Sequence, residues 1–203
     1  MNNKNLDIFY NFYRSNQHLL KKGDISWPAE KILYQLSYEH AEDSIISKQA
    51  EDFLEESRQL FNLLKGRAEK DFLIKTQFKD WTIDDVIGHL HIFNFAANLS
   101  LKSSDDFQTF LAPFSEALKK GNGLLESQRP WLKGLSGHAL LEAWWEEAQS
   151  TSNNYKNADP KSRLNWVGPN MSARSSITAR QMETWSHGQE IFDIFGKIRV
   201  ESD

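Results

Sequence analysis

Cysteine is absent from this 203-residue chain. That excludes a disulfide, a thiolate metal ligand and a cysteine nucleophile. Any metal must be held by His, Asp and Glu, and any thiol chemistry must bring its sulfur from outside. A basic excess is missing too: 24 Lys and Arg against 28 Asp and Glu leave a formal net charge of −4, and no basic run exceeds Lys21-Lys22 or Lys119-Lys120. A phosphate-tracking surface needs the opposite balance, so nucleic acid is not an expected partner. No apolar run approaches the roughly 20 residues that span a bilayer, and Met1-Asn-Asn-Lys-Asn-Leu-Asp lacks the apolar core of a signal peptide. The expectation is a soluble, cytoplasmic protein with no membrane partner. Phosphate-binding glycine loops and Gly-x-Ser-x-Gly turns are also missing. What remains, 39% hydrophobic and 26% charged, is the composition of a globular chain of single-domain size.

Period-two alternation is scarce and helical periodicity common, so the expected class is all-α. A first amphipathic segment covers about Leu6 to Leu20 and is broken at Gly23-Asp24. Trp27-Pro28 opens another, proline being suited to a first helical turn. Apolar residues then recur at helical spacing to Leu64, with Tyr38–Ser44 the place where a break would fall and Gly66 as the C-cap. Arg67 to Lys79 reads as a connection holding a short helical turn. Thr82 and Asp85 form a capping box for a helix to about Ser100. Asp105 or Asp106 starts a helix ending near Gly121-Asn-Gly123. Ser136 caps the next, with Leu140, Leu141, Trp144, Trp145 and Ala148 on its buried stripe. Ser150 to Asn170, rich in Ser, Asn, Gly and Pro, reads as a long loop. The last helix covers about Ala173 to Phe195 and stops at Gly196. Four of these helices (about 43–65, 82–100, 136–152 and 173–195) are long enough to form a bundle.

Chemistry concentrates in the last helix. Glu183 and His187 are four residues apart, which puts both on one face, one turn from each other. Such a pair can share one metal ion; the plain alternative is a surface contact. Arg180 lies on the same face, and Trp185 and Phe192 suggest that much of the helix is buried. A buried face carrying Arg, Glu and His is expensive unless the groups are paired or bound to something. His89, flanked by Val86, Ile87, Leu90 and Phe93, is the candidate third ligand, although a lone histidine there is more often a satisfied core residue. His91 points to a different face and is expected at the surface or against a loop. His18, His40 and His138 are expected to be structural or superficial. Asn165-Trp-Val-Gly-Pro-Asn170 reads as an ordered loop seating the last helix or forming the lip of a pocket.

Two segments together resemble a known family. Trp81-Thr-Ile-Asp-Asp-Val-Ile-Gly-His-Leu90 resembles the tryptophan-to-"AHL" motif of the DinB-like superfamily, and more narrowly that of the N-terminal, metal-binding domain of mycothiol-dependent maleylpyruvate isomerases. The stretch from Asn165 to Asp193 is similar to an uncharacterised branch of that family, in which a "W-F-G-P-x-M-S" lead precedes "A-R-x-M-E-x-W-x-H-G-x-D". The likeness covers roughly residues 43–196, with residues 1–42 as an N-terminal helical extension packing on a bundle of residues 43–203. It implies a DinB-like antiparallel four-helix bundle with one divalent metal near one end, held by His89, Glu183 and His187. Zinc is the ion most expected, with nickel or iron as alternatives. Two departures are mild: Glu190 replaces the motif's Asp, and Gly88 its Ala. A third is larger, since members of the branch continue into a C-terminal domain and this sequence stops at Asp203.

Two imidazoles and a carboxylate leave a coordination position open, where a closed structural site fills all four. The resemblance therefore implies a thiol-dependent transferase or isomerase that activates an external low-molecular-weight thiol, with Arg180 holding a substrate or cofactor carboxylate. The alternatives are a hydrolase that activates water at the metal, and a metal-binding or partner-binding module without catalysis. For Arg180 the alternative role is a salt bridge to Glu183 or to an acid on a neighbouring helix. A homodimer fits the superfamily's habit.

Overall fold

The structure is a computed structural model that describes residues 27–199, with side chains described from residue 45 onward. The segment expected at Leu6 to Leu20, the packing expected of residues 1–42, and the side chains of His18 and His40 lie outside the described residues. Among the described residues there are six α-helices: α1 (Trp27–Leu64), α2 (Ile83–Lys102), α3 (Ser104–Lys119), α4 (Leu124–Leu132), α5 (Gly137–Lys156) and α6 (Ala173–Ile194). A 3-10 turn, Glu69–Leu73, follows α1. Two short antiparallel strands, β1 (Arg163–Leu164) and β2 (Met171–Ser172), lead into α6. None of the described helices is long and apolar enough to cross a membrane.

The helix boundaries have local causes. The α1 backbone continues unbroken through Tyr38–Ser44, because that stretch holds neither Gly nor Pro and its Glu and Ala residues favour helix. Gly66 does not take the left-handed φ of a C-cap glycine. The helix closes instead through Lys65 N–H to Phe61 O and Arg67 N–H to Leu64 O, both 2.9 Å. Thr82 caps α2 as expected: its hydroxyl accepts from the Asp85 N–H (3.1 Å), and the Asp85 carboxylate accepts from the Thr82 N–H (2.9 Å). Ser136 stands at the N-cap of α5 without capping through its side chain. That task passes to Asp84 of α2, whose carboxylate accepts from the Gly137 N–H at 2.6 Å.

Two expectations are corrected. The long loop from Ser150 begins later, since α5 runs on to Lys156. Thr151, Ser152 and Tyr155 all face inward there. Their polar atoms are met by Asn98 Nδ2 (2.9 Å, to Thr151 Oγ1), by Ala50 O (2.8 Å, from Ser152 Oγ) and by Ser176 Oγ (2.8 Å, with Tyr155 Oη), so a polar run packs as core. The region after Gly123, given no element from the sequence, forms α4. Its Leu124, Leu125, Gln128 and Leu132 share one face.

The bundle consists of α1, α2, α5 and α6. Bonds from Asp84 to Gly137 and from Asn98 to Thr151 run α2 and α5 in the same direction. Contacts of Ala50 with Ser152 and of Phe61 with Trp145 run α1 against α5. The pairing of Gln49 with Thr178 near one end, and of Leu60 with Gly188 near the other, sets α1 alongside α6. In chain order the four helices therefore run up, down, down, up, each with one parallel and one antiparallel neighbour. The core forms two apolar clusters. One gathers Leu60, Leu64, Phe72, Trp81, Ile87, Leu140, Trp144 and Ile191; the other gathers Ile46, Phe53, Ala97, Ala148, Tyr155 and Ile177.

Candidate metal centre

His89 sits two turns into α2, and Glu183 and His187 lie one turn apart on α6, which runs antiparallel to α2. The three meet where the helices face. One potential ligand atom from each residue lies within 4.8 Å of the other two. Glu183 Oε2 is 3.6 Å from His89 Nε2 and 3.5 Å from His187 Nε2. These separations are too long for good hydrogen bonds. They match the spacing of about 3.4 Å between neighbouring ligands of a tetrahedral ion with bonds of about 2.1 Å. Among the described residues no fourth His, Asp or Glu joins the cluster. Both histidines are 9% exposed, and Glu183, at 30% of its side chain, is the most open of the three. A ligand would reach the cluster from its side.

The protonation states suit a cation. The Glu183 carboxyl is held far below the usual carboxylate range, first by His187, then by His89, against the opposing effect of burial. Burial pushes the His89 imidazole down, and the charges of His187 and Arg180 act in the same sense. The site thus offers a carboxylate beside neutral imidazole, the form in which these groups bind metals.

Aromatic rings build the walls. Phe78 meets His187 edge-on at 4.9 Å between centroids, and Trp81 lies against both imidazoles, 5.4 Å from His89 and 6.1 Å from His187. These two rings come from a tight hairpin. Lys75 and Thr82 pair across it, the Trp81 N–H donates to Phe78 O at 3.0 Å, and both central residues, Lys79 and Asp80, have positive φ (53° and 57°). Two positive φ values mark a type I′ turn. Glu190 of α6 accepts from the Phe78 N–H at 2.9 Å and so ties the hairpin to the helix that carries the ligands. That bond gives the motif's acidic position a role which Glu fills here. An open cleft lined by Lys79, Leu124, Leu125 and Arg129 lies on Trp81 as well.

Arg180, one turn before Glu183, is 4% exposed. Its Nε and Nη1 have no hydrogen-bond partner among the described residues. Its guanidinium lies over the Trp166 ring (4.9 Å) and near Phe93 (5.7 Å), and Phe93 in turn touches His89 (4.7 Å). The loop Asn165–Asn170 therefore closes over Arg180, held by the Ser100 hydroxyl donating to Asn165 O at 2.6 Å.

Three expectations need amending. Trp185 is about half exposed, so the buried face of α6 runs through Ile177, Arg180, Thr184, His187 and Ile191 and leaves Trp185 outside. His91 is half-buried rather than fully at the surface, and among the described residues its Nδ1 has no hydrogen-bond partner. Burial lowers its pKa. Among the described residues the salt bridge considered for Arg180 is not formed at Nε or Nη1. His138 behaves as expected, pairing with Glu69 and packing edge-on against Phe72.

Sequence reasoning missed the partner of His89. Gln128 of α4, 2% exposed, places its Nε2 3.1 Å from His89 Nδ1. The signal was there in the helical spacing of Leu124, Leu125, Gln128 and Leu132, shortened by Pro130 and polar where a core residue was due.

Known proteins bear on this arrangement in two ways. Two uncharacterized proteins of Mycobacterium tuberculosis, one from strain CDC 1551 and one from strain H37Rv, are each 32% identical to the chain over 119 residues. The match takes in 59% of this chain and 45% of each relative, so the chain spans under half the length of the curated relatives it matches. No solved structure matches. Residues 53–192, which carry all three converging side chains, match the mycothiol maleylpyruvate isomerase N-terminal domain family, and the chain belongs to that family.

Proposed function

We propose that His89, Glu183 and His187 hold one divalent cation, zinc foremost with nickel or iron as alternatives, and that the site serves a thiol-dependent transfer or isomerisation. The convergence of three ligand atoms, with no fourth ligand among the described residues, carries this reading. A bound cation with an open position would lower the pKa of a thiol or water placed there, generating a nucleophile at neutral pH. The chain has no cysteine, so the sulfur would come from a small external thiol.

The protein's own groups have separate tasks in this reading. His89, His187 and Glu183 supply the donors, with the Glu183 carboxyl held ionised and the His89 imidazole kept neutral by burial. Phe78 and Trp81 fix the two imidazoles and exclude water from one side. Arg180 takes a carboxylate of the substrate or cofactor. Its support is the pair of unpartnered buried nitrogens, since a guanidinium in that state lacks the anion that would offset its desolvation.

Metal analysis of the purified protein beside His187→Ala and the triple variant His89→Ala/Glu183→Ala/His187→Ala tests the site. About one divalent ion per chain is expected in the wild type, and none in the triple variant. Stoichiometric metal in the triple variant would remove the assignment.

A further inference from the structure

We infer that Gln128 is the positioning residue of the centre, holding His89 through Nδ1 so that Nε2 faces Glu183 and His187, and serving both neutral forms of the ring by reversing its amide. The inference rests on the metal reading above and extends it to a residue on another helix.

Three observations lead there. The first is contact: the Gln128 amide is 3.1 Å from His89 Nδ1, while Nε2 of the same ring points at Glu183. Nδ1 is thereby taken by the protein and Nε2 is left for a ligand. The second is burial. Gln128 is 2% exposed on a nine-residue helix, beside buried Ser127 and the partly buried Leu124, Leu125 and Leu132. A buried carboxamide there is costly unless its polar ends are met. The third is the fit of the helices. A Cβ on Gly88 would fall 2.9 Å from Leu132 Cδ1, so Leu132 of α4 packs its side chain directly onto the α2 backbone beside His89. That contact seats α4 against α2 next to the residue that Gln128 reaches.

The choice of an amide has a chemical consequence. With Gln128 Nε2 facing Nδ1, the amide donates, Nδ1 accepts, and the ring proton sits on Nε2. A cation on Nε2 requires that proton to be on Nδ1, which then needs an acceptor. Rotation of the carboxamide by half a turn supplies Oε1 in the same place. Glutamine can thus hold the ring in the same orientation with and without the ion. A carboxylate would only accept and would favour the ion-bound form throughout.

Zinc binding by the full chain, measured in competition with a chromophoric chelator, tests this with wild type, Gln128→Leu, Gln128→Glu and His187→Ala. Gln128→Leu is expected to bind zinc about 10–100-fold more weakly, and Gln128→Glu as tightly as wild type or tighter. Nitrogen-15 NMR of the histidine rings supplies the second readout. His89 of the wild type should carry its proton on Nε2 without zinc and on Nδ1 with zinc. In Gln128→Glu the proton should be on Nδ1 in both states, a result that loosened packing would not produce. Circular dichroism melts of the metal-free variants show whether Gln128→Leu folds; if it does not, the Gln128→Glu comparison and the wild-type NMR decide. Wild-type affinity in folded Gln128→Leu, with zinc lost in His187→Ala, would overturn this inference alone. Failure of the wild type to bind zinc would overturn the reading beneath it.

Discussion

Arg180 presents a conflict within a single side chain. Its guanidinium is nearly sealed off, with two nitrogens unpartnered, yet arginine stays charged at any ordinary pH. The Trp166 and Phe93 rings each return about 2 kcal/mol for a desolvated cation, against an effective desolvation penalty of several kcal/mol per ion. Glu183, one turn away, favours the charge through space without bonding to it. On balance the metal-free protein should be strained at this residue. Arg180→Met keeps much of the volume and removes the charge, so it should raise stability by about 1–2 kcal/mol, read from urea denaturation of the metal-free protein. The same variant should lose affinity for carboxylate ligands of the loaded protein. A clear loss of stability would instead make Arg180 a structural residue with no ligand to hold.

At the scale of elements, the hairpin before α2 is the least expected part and the one nearest the centre. Positive φ costs Lys79 about 1–2 kcal/mol relative to right-handed backbone, and Asp80, which tolerates it better, stands at the second central position, where type I′ turns prefer glycine. The strain is accepted where Phe78 and Trp81 must reach two imidazoles and where Glu190 secures the Phe78 N–H. Lys79→Asn with Asp80→Gly should therefore stabilise the protein by about 1 kcal/mol, seen as a higher urea midpoint with an unchanged slope. A lower midpoint would show that the Lys79 contact with the Phe78 ring outweighs the backbone gain. This hairpin was illegible in the sequence for the same reason: Lys-Asp is a far weaker turn signal than Asn-Gly or Asp-Gly, whereas Thr82, Asp85 and Gly196 announce their helix ends by their chemistry. Likewise the last turn of α5 reads as loop in one dimension, and only the partners offered by Asn98, Ala50 and Ser176 make it core. Glu183 and His187 were readable as a pair because one helix fixes their spacing. Their meeting with His89 was expected from the family resemblance, while the spacing of Leu124, Leu125, Gln128 and Leu132 marks Gln128 only as a polar residue on an inward face, and its reach to His89 depends on tertiary packing.

At the scale of the whole molecule, the core is two apolar clusters with a polar band between them. Along α6 the sequence passes from Ile177 in one cluster, through Arg180, Glu183, Thr184 and His187, to Ile191 in the other. Along α2 it passes from Leu90, in one cluster, through Asn94 to Ala97, in the other. Asn94, Thr184 and Arg180 have buried polar atoms in this band with no partner among the described residues. Each such group costs about 1–3 kcal/mol, so the band is where the bundle forgoes stability and where a ligand has most to supply. A cation bound to the folded chain alone should then tighten the junction of α2 with α6. At zinc about 100-fold above its dissociation constant the linkage amounts to about 2.7 kcal/mol. For a domain of this size that corresponds to a rise in melting temperature of about 5–10 °C. Calorimetry with and without zinc should show the rise, a chelator should reverse it, and His187→Ala should abolish it while the Lys79→Asn/Asp80→Gly chain retains it. A melting temperature indifferent to zinc at saturating concentration would mean that the band is complete without an ion, and that its unpartnered groups await a different ligand.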